Sequence, residues 1–439
     1  MRNWWVGCVL CVFGFSVLAK PLMKIQKVSL DHGAHLYLVS SHDLPVVDVR
    51  VTFRAGSSYD GHMFGLANLT NALMNEGSGG KSADEVANEL SDEGAQVNFS
   101  SGRLMGSLSL RSMSDEDHLK KSLAIFHRML MAPNFSEKAF VRVQNQMLAA
   151  IKFKNQDPQV IASQHCFNAL YPHLPYAHAP LGTESGLKLI HLEQVKRFYK
   201  KFYVRANAQV IMIGDIQLEE AKALANELLR GMSDGRRAPN LPQAPQLKDA
   251  KHINVSFPSS QMTYYLGQAG VSRKDPDYLT WVVANEVLGG SYQQSRLFDT
   301  LRNNHGLVYS INSLVVPYPF GGPMLIIFQT KDESATQALA LVNRTVHYFA
   351  LNALTEPELA LVKRLLVGRL YRQLVSNEDK LSMVSILAFY DLPLNYYDEY
   401  VRHIEQVTVK DIIDVFSKKI HADRWVTVRV GDSEQEQAK

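Results

Sequence analysis

GLANLTNALMNEGS, residues 65–78, is the segment from which the architecture of this chain can be inferred. It predicts a helix that begins after Phe64 and ends at Gly77. The apolar residues recur at helical spacing and predict a stripe that packs against a core; they are Leu66, Leu69, Leu73 and Met74. The asparagines fall on another face, which we expect to be solvated; they are Asn68, Asn71 and Asn75.

Length and composition limit the class of protein. A chain of 439 residues predicts two or more domains, each of about 150 to 250 residues. With 46% hydrophobic residues the chain can bury a substantial core. The formal net charge of +3 is nearly neutral for this length, so composition gives no reason to expect nucleic acid or an acidic membrane surface as a partner.

Residues 1–19 have the features of a secretory signal peptide. Arg2 supplies a positive start, residues 4–17 form an apolar run too short to span a bilayer comfortably, and Ala19 ends a small-residue cleavage site. The alternative is an uncleaved anchor. After cleavage Cys166 is the only cysteine left, so no internal disulfide can form. We therefore expect a periplasmic protein without a stable membrane anchor.

Periodicity and turn residues predict alternating strands and helices in the first half of the mature chain. The predicted strands are 24–30, 34–39, 46–53, 96–100, 104–110 and 208–214. The predicted helices, besides the one after Phe64, are 82–92, 115–131, 136–154, one from Pro158 onward, 191–203 and 218–231. The predicted helix 82–92 opens with a capping box, in which Ser82 caps the helix and Glu85 follows three residues later.

The second half of the chain repeats the first. HLEQVKRFYKKF…VIMIGD at 191–215 matches HIEQVTVKDIIDVF…VTVRVGD at 403–432, and AG…GLANLTNALMNEGS at 55–78 matches AG…YLTWVVANEVLGGS at 269–291. This period is far too long for a solenoid and indicates a duplicated α+β domain. We predict a signal peptide at 1–19, an N-terminal domain at 20–231, a Pro-containing linker at 232–249 and a C-terminal domain at 250–439.

Three segments of the mature chain carry a family resemblance. They are AGS…GLANLTNALMNEGS…SADEVANELSDEGAQVNFSS, YPHLPYAHAPLGTESGLKLIHLEQVKRFYKKFYVRANAQVIMIGD and SRLFDTLRNNHGLVYSINS. In this order, and together with the duplication, they resemble the insulinase-type (M16) metallopeptidases. The resemblance implies two similar sandwich domains, each an antiparallel sheet covered by helices. It further implies that the halves face each other like a clam shell around a peptide chamber.

The zinc chemistry of that family is missing from this chain. In the family this helix carries H-x-x-E-H; its two His and a later Glu bind zinc, and the motif Glu is the base. Here the His positions hold Asn68 and Ala72 and the base position holds Asn71. The later Glu should precede the DP sequence at 157–158, where the chain has Ala149 and Ala150. Because amides are poor zinc ligands and Ala has no donor, we expect no metal and no cofactor in this chain.

Other chemistries have weaker support. His165, His173 and His178 cluster in sequence, but their spacing crosses a helix end and two prolines, so the imidazoles need not converge. Cys166 falls in the middle of a predicted helix, where a buried inert thiol is expected. The chain has no G-x-S-x-G nucleophile elbow, phosphate loop or dinucleotide motif.

One functional motif of the family is retained in SRLFDTLRNNHGLVYS. We predict a helix over 295–304 that places Arg302 on its last turn, and a strand that begins at Leu307 and contains Tyr309. The resemblance implies that Arg302 holds a backbone carbonyl of a bound peptide. It also implies that Tyr309 donates its hydroxyl to the oxygen that becomes negative during attack on the scissile bond. The alternative is an Arg that stabilises a helix end and a core Tyr.

These patterns lead to three hypotheses. The first is a non-catalytic, substrate-binding subunit of a periplasmic heterodimeric M16 zinc peptidase, in which a sister subunit with an intact H-x-x-E-H holds the zinc and Arg302 and Tyr309 complete its site. The second is a peptide-binding or scaffold protein of M16 fold without a role in hydrolysis. The third, an autonomous metalloendopeptidase that uses unrecognised residues, has the least support.

Overall fold

Two β-sheets, one in each half of the chain, form the scaffold of the computed structural model. The structure describes residues 21–290, 293–351, 354–421 and 423–431. The predicted signal peptide therefore lies outside the described residues. Within them no helix has the length and apolar character needed to cross a membrane.

The first half contains six strands and eight α-helices within the described residues. The strands are β1 (Gln26–Ser29), β2 (His35–Ser40), β3 (Val46–Phe53), β4 (Gln96–Ser101), β5 (Gly106–Met113) and β6 (Ala208–Gly214). The helices are α1 (Leu66–Leu73), α2 (Ala83–Asp92), α3 (Glu116–Met131), α4 (Glu137–Lys154), α5 (Pro158–Leu170), α6 (Glu184–Lys188), α7 (Leu192–Phe202) and α8 (Leu218–Leu228).

The second half contains five strands and seven α-helices within the described ranges. The strands are β7 (Lys251–Val255), β8 (Gln261–Ala269), β9 (Val308–Val315), β10 (Pro323–Lys331) and β11 (Val426–Val430). The helices are α9 (Tyr278–Asn285), α10 (Arg296–Phe298), α11 (Ala335–Leu351), α12 (Glu356–Gln373), α13 (Asn377–Phe389), α14 (Tyr396–Gln406) and α15 (Val409–Lys419). Two π-helical turns, Glu286–Gly290 and Asp299–Asn303, interrupt this half.

Apart from the additional edge strand β1 of the first sheet, the two sheets have the same topology, so the duplication inferred from the sequence is also a duplication of structure. The strand order is β1-β2-β6-β3-β5-β4 in the first sheet and β7-β11-β8-β10-β9 in the second. Each sheet is antiparallel except for one parallel pair at the equivalent place, β2 with β6 and β7 with β11. The predicted α+β fold is confirmed, and the parallel pairs add a detail that the sequence did not indicate.

Local sequence signals explain several element boundaries. Ser82 accepts a hydrogen bond from the Glu85 amide while the Glu85 carboxylate accepts from the Ser82 amide, so the predicted capping box starts α2. Asp157 caps α5 and Pro158 occupies its first position. Strand β6 has the predicted bounds, and the segment from 232 to 250 forms no helix or strand. The domain boundaries themselves stay a prediction.

Strand β6 is apolar from Val210 to Ile213 because both faces of its sheet are covered. Val210 and Met212 join the core formed with α1, α3 and α8. Ile211 and Ile213 point to the opposite face and pack against α13 of the second half. A strand buried on both faces reads as a continuous hydrophobic run. The second set of apolar residues in this strand, Ile211 and Ile213, is therefore explained by the helix α13 that comes from the other half.

The exchange of helices is reciprocal. Helix α5 of the first half packs on β8 and β11 of the second sheet, where Cys166 and Leu170 lie in one buried cluster with Val426 and Val428. At Gly267 in β8 the fit is close, because a Cβ atom there would lie 2.6 Å from Cys166 Sγ and 2.9 Å from Leu170 Cδ1. The two halves are thus joined through buried cores, in addition to residues 232–250, which we call the connecting segment.

We expect Gly267→Ala to lower the free energy of unfolding by about 1–3 kcal/mol, because the added methyl group overpacks the contact between β8 and α5. Gly102→Ala is the matched control, since a Cβ there meets nothing closer than 3.9 Å. Denaturant unfolding of Gly267→Ala, Cys166→Ala and the double variant measures the coupling. Additive effects of the two substitutions would contradict the close packing of Cys166 on Gly267.

Candidate functional site

Helix α1, which carries the predicted degenerate zinc positions, is fixed at its N-terminus by one buried carboxylate. Gly65 precedes the helix with φ of 109°, a conformation that favours glycine. Asp60 accepts hydrogen bonds from the amides of Gly65 and Ala67, both at 2.7 Å. A carboxylate at this end of a helix pairs with free N–H groups and with the helix dipole.

Asp60 also connects helix α1 to the loop that follows α5. Its Oδ2 lies 3.1 Å from His178 Nε2, and both side chains are almost completely buried. Burial raises the pKa of the Asp60 carboxyl, and the hydrogen bonds from His178 and the two amides oppose that rise. The His178 ring stacks on Phe64 with the ring centroids 4.2 Å apart. The loop and the start of α1 therefore form one fixed unit.

Asn71 occupies the position of the family's catalytic base, and it is not solvated. Asn71 is only 2% exposed. Its Nδ2 donates hydrogen bonds to the Tyr203 hydroxyl at 3.2 Å and to the Ser107 carbonyl at 3.4 Å. Burial raises the pKa of Tyr203, so this hydroxyl stays protonated. The predicted solvated asparagine face is wrong at Asn71, because the amide is used inside the core as a donor.

We expect Asn71→Ala to lower the free energy of unfolding by about 1–3 kcal/mol, because the buried Tyr203 hydroxyl loses its hydrogen-bond donor. Asn75→Ala, at an exposed residue just after the same helix, is the matched control and should be nearly neutral. Denaturant unfolding measures both. An Asn71→Ala variant as stable as Asn75→Ala would contradict the role of this hydrogen bond.

Of the remaining expected zinc positions only Asn68 has a side-chain donor, and its amide is a poor zinc ligand. Asn68 and Ala72 are half-buried on α1; on α4, which packs against α1, Ala149 is exposed and Ala150 half-buried. Three alanines have no donor atoms, and the Asn71 amide is engaged with Tyr203 and faces the core. The residues present at these positions therefore do not fit a catalytic zinc ion. In the described part of the chain no group of three or more His, Cys, Asp or Glu residues could hold a metal ion.

The surroundings of His173, His178 and Cys166 favour structural roles for these residues. His178 is bound to Asp60, while His173 adopts a positive φ of 61° in the loop. Cys166 is completely buried between α5 and the second sheet, and burial raises the pKa of its thiol to about 12. A thiol with so high a pKa is a poor nucleophile.

Arg302 and Tyr309 lie side by side on the surface of the second half. The guanidinium carbon of Arg302 is 5.6 Å from the centroid of the Tyr309 ring, within the distance of a cation–π contact. Arg302 also donates from Nη1 to the Val308 carbonyl at 3.4 Å. Tyr309 is 76% exposed. Both polar ends are thus accessible to a molecule that approaches this surface, and the core position weighed for Tyr309 is wrong.

The backbone around this pair differs from the predicted helix. The segment 295–304 forms α10 (Arg296–Phe298) followed by the π-helical turn Asp299–Asn303, which contains Arg302. π-helical turns are rare and are frequent at functional sites. Tyr309 is the second residue of β9, which is an edge strand of its sheet and pairs with β10 within the described residues.

The sequence analysis missed Asp60 and its partner His178 as the residues that position α1. No local pattern identifies this pair, because the two residues are 118 positions apart. The available signal was an acidic residue five positions before Gly65 at a helix start.

Comparison with known families identifies the two halves separately. Residues 37–184 match the family described as "Insulinase (Peptidase family M16)", and residues 190–366 match the family described as "Peptidase M16 inactive domain". Together the two matches cover most of the described chain.

Curated relatives cover nearly the whole chain at low identity. The "Non-peptidase homolog YmxG" of Helicobacter pylori is 26% identical over 418 residues, which are 92% of this chain and 94% of that protein. The "Uncharacterized zinc protease YmxG" of Bacillus subtilis is 22% identical over 363 residues, 82% of this chain and 86% of that protein. The two relatives thus carry different descriptions, one as a non-peptidase homologue and one as an uncharacterised zinc protease.

Solved structures have the same fold over the same range. A peptidase M16 inactive domain from Pseudomonas fluorescens is 33% identical, with a TM-score of 0.90 over 94% of this chain and 98% of that chain. A protease from Helicobacter pylori is 18% identical, with a TM-score of 0.84 over 93% of this chain and 99% of that chain; this second likeness concerns the fold alone.

Proposed function

This chain belongs to the M16 peptidase family, as a member similar to its inactive domains and non-peptidase homologues, and from that membership we propose a specific role. We propose that it is the non-catalytic, substrate-binding subunit of a periplasmic heterodimeric zinc peptidase. The sister subunit would carry an intact H-x-x-E-H and the zinc ion. This chain would contribute Arg302 and Tyr309 to the bound peptide.

The observation that carries the proposal is the contrast between two sites of the same chain. The positions for zinc ligands on α1 and α4 hold Asn or Ala, and the amide of Asn71 is bound inside the core. Arg302 and Tyr309, in contrast, are paired at the surface with their polar groups open to solvent. Arg302 and Tyr309 can contribute to peptide hydrolysis only if a second subunit supplies the metal site that this chain lacks.

The chemistry of the pair fits peptide binding. The guanidinium of Arg302 presents N–H donors in a planar fork that can hold a backbone carbonyl. Tyr309 presents a hydroxyl that can donate to an oxygen on which negative charge develops. The contact between the guanidinium and the ring fixes the two groups relative to each other, so little ordering is needed when the peptide binds.

The position of Tyr309 on an edge strand supports an extended substrate. An extended peptide can add alongside the outer edge of β9 at backbone groups other than the carbonyls of Val308 and Ser313, which side chains of Arg302 and Asn285 already bind. Such a mode selects unfolded segments or short peptides, because a folded chain does not expose a free strand.

A second candidate is a peptide-binding or scaffold protein without a role in hydrolysis. It is favoured by the description of the Helicobacter pylori relative as a non-peptidase homologue. The two candidates differ in their partner, since only the heterodimer requires a sister chain with H-x-x-E-H.

Affinity capture separates the two candidates. The full chain, tagged at its C-terminus and expressed in its own host, is purified from the periplasmic fraction under native conditions, and the copurifying proteins are identified by mass spectrometry. The heterodimer predicts a stoichiometric M16 chain with H-x-x-E-H. Recovery of the chain from the periplasm without such a partner would favour the scaffold function, and its absence from the periplasm would contradict the proposed location.

A further inference from the structure

A cavity of about 510 Å³ lies where the first half, the connecting segment and the second half meet. Arg54 reaches it from the end of β3, Arg237 from the connecting segment, and Arg273 and Lys274 from the loop after β8. Asp391 closes it after the exchanged helix α13. We call this cavity the junction pocket. Its volume is within the range of small-molecule sites.

The junction pocket concentrates positive charge. It is lined by four basic side chains and one acidic side chain, a surplus as large as the formal net charge of +3 of the whole chain. The rest of the sequence is therefore nearly balanced. A concave site lined by one sign of charge attracts ligands of the opposite sign.

The single carboxylate is already used on one side of the junction pocket. Asp391 Oδ2 lies 2.8 Å from Arg237 Nη2 and 3.7 Å from Arg54 Nη2. Arg54 also donates to the Phe389 carbonyl at 3.0 Å. Burial lowers the pKa of the Arg54 guanidinium, and the nearby charge of Arg237 lowers it further. The two arginines on this side thus share one counter-charge.

The other side of the junction pocket has no counter-charge. Among the described residues no carboxylate oxygen lies within 4.0 Å of the charged groups of Arg273 or Lys274, whereas the next residue, Asp275, pairs with Lys419. The Arg273 guanidinium lies over the rings of Tyr278 and Tyr390, at 5.2 Å and 5.3 Å. Its Nε is buried and makes no hydrogen bond, and the groups that face the rest of the guanidinium are the side chains of Tyr278, Tyr390 and Tyr396. The charge of Arg273 is therefore surrounded by tyrosines without a carboxylate, and an anionic ligand would supply the missing counter-charge.

We propose that the junction pocket binds a small organic anion with two or more carboxylate or phosphate groups. One acidic group would be held by Arg273 and Lys274, and another would share Arg54 and Arg237 with Asp391. The apolar lining, which includes Phe389 and Pro319, would contact the carbon skeleton between the groups. Because the walls come from both halves, the bound anion would hold the halves together and raise the unfolding temperature.

Isothermal titration calorimetry and thermal unfolding of the full mature chain test this proposal. The probes are citrate for the carboxylate source and pyrophosphate for the phosphate source, each compared with sodium chloride at equal ionic strength. Saturable one-to-one binding of either probe, with a matching rise in unfolding temperature, is the expected result, and the probe that binds tells which acidic group is recognised. The absence of saturable binding by both probes would overturn the proposal.

Three variants locate the binding in the junction pocket. Arg273→Gln and Lys274→Gln should each weaken binding about tenfold, because each removes a charge-assisted hydrogen bond. Lys274 is exposed, so its variant remains informative if Arg273→Gln is unstable. Lys248→Gln, at an exposed lysine of the connecting segment that does not line the pocket, should bind as the unchanged chain does. Equal binding by all three variants would mean that the anion binds elsewhere and would overturn the assignment.

Discussion

Arg302→Ala is expected to lower the peptide-cleaving activity of the assembled pair of subunits about a hundredfold, because a peptide that loses the guanidinium at its backbone carbonyl is misplaced relative to the zinc site. The side chain is exposed and its hydrogen bond to the Val308 carbonyl is long, at 3.4 Å. Its loss should therefore leave folding and assembly unchanged. Cleavage of a quenched fluorescent peptide measures activity, and size-exclusion chromatography measures assembly.

Matched variants separate a role in substrate binding from a general loss of surface charge. Arg402→Ala removes another exposed arginine, one that pairs with Glu399 on α14, and should leave activity unchanged. Tyr309→Phe should lower activity by a similar factor to Arg302→Ala, whereas Tyr371→Phe, at a half-exposed tyrosine of α12, should not. Full activity of Arg302→Ala in an assembled pair would refute the assignment of this residue.

Asp60→Ala is expected to cause the largest loss of stability of any single substitution considered, about 3–5 kcal/mol in the free energy of unfolding. The change removes the buried hydrogen-bond partner of His178 and leaves a polar ring nitrogen in the core. It also leaves the amides of Gly65 and Ala67 at the start of α1 without an acceptor. Denaturant unfolding followed by circular dichroism measures the change.

Two further variants make the test specific to the buried pair. Asp249→Ala removes an exposed carboxylate of the connecting segment and should be nearly neutral. His178→Ala should be less damaging than Asp60→Ala, because the two helix amides keep their acceptor. A stability of Asp60→Ala close to that of Asp249→Ala would show that this carboxylate does not hold the helix.

The elements with strong local signals could be predicted from the sequence. Strand β6 and the capping box of α2 were placed correctly, because continuous hydrophobicity and the Ser82–Glu85 spacing are local patterns. The duplication was also visible, because two long segments recur in the same order. The matching strand orders of the two sheets follow from that recurrence.

Features that depend on distant partners could not be predicted. The sequence indicated a solvated polar face at Asn71. In the structure its amide is buried and donates a hydrogen bond to Tyr203, which lies 132 residues later in the chain. The apolar faces of β6 did not reveal that α13 from the other half covers one of them. The prolines and basic residues around Arg237 indicated only a linker, and their role in lining a cavity required the loop after β8 and the end of α13.

The candidate site was predicted in part. The family resemblance singled out Arg302 and Tyr309, and the structure adds that their side chains are in contact. The π-helical turn that contains Arg302 was not predicted, because no single-residue pattern separates it from an α-helical turn. The assignment of this pair to substrate binding, the sister subunit and the periplasmic location stay predictions.

Zinc content measured together with peptide cleavage tests the central claim most directly. The mature chain, the sister subunit with H-x-x-E-H and their mixture are each assayed for bound zinc and for cleavage of a quenched fluorescent peptide, before and after chelation. The account predicts no zinc and no cleavage for this chain alone, and cleavage by the mixture that chelation abolishes. Stoichiometric zinc and cleavage by this chain alone would contradict it, and would mean that a catalytic site lies away from Asn68, Asn71 and Ala72.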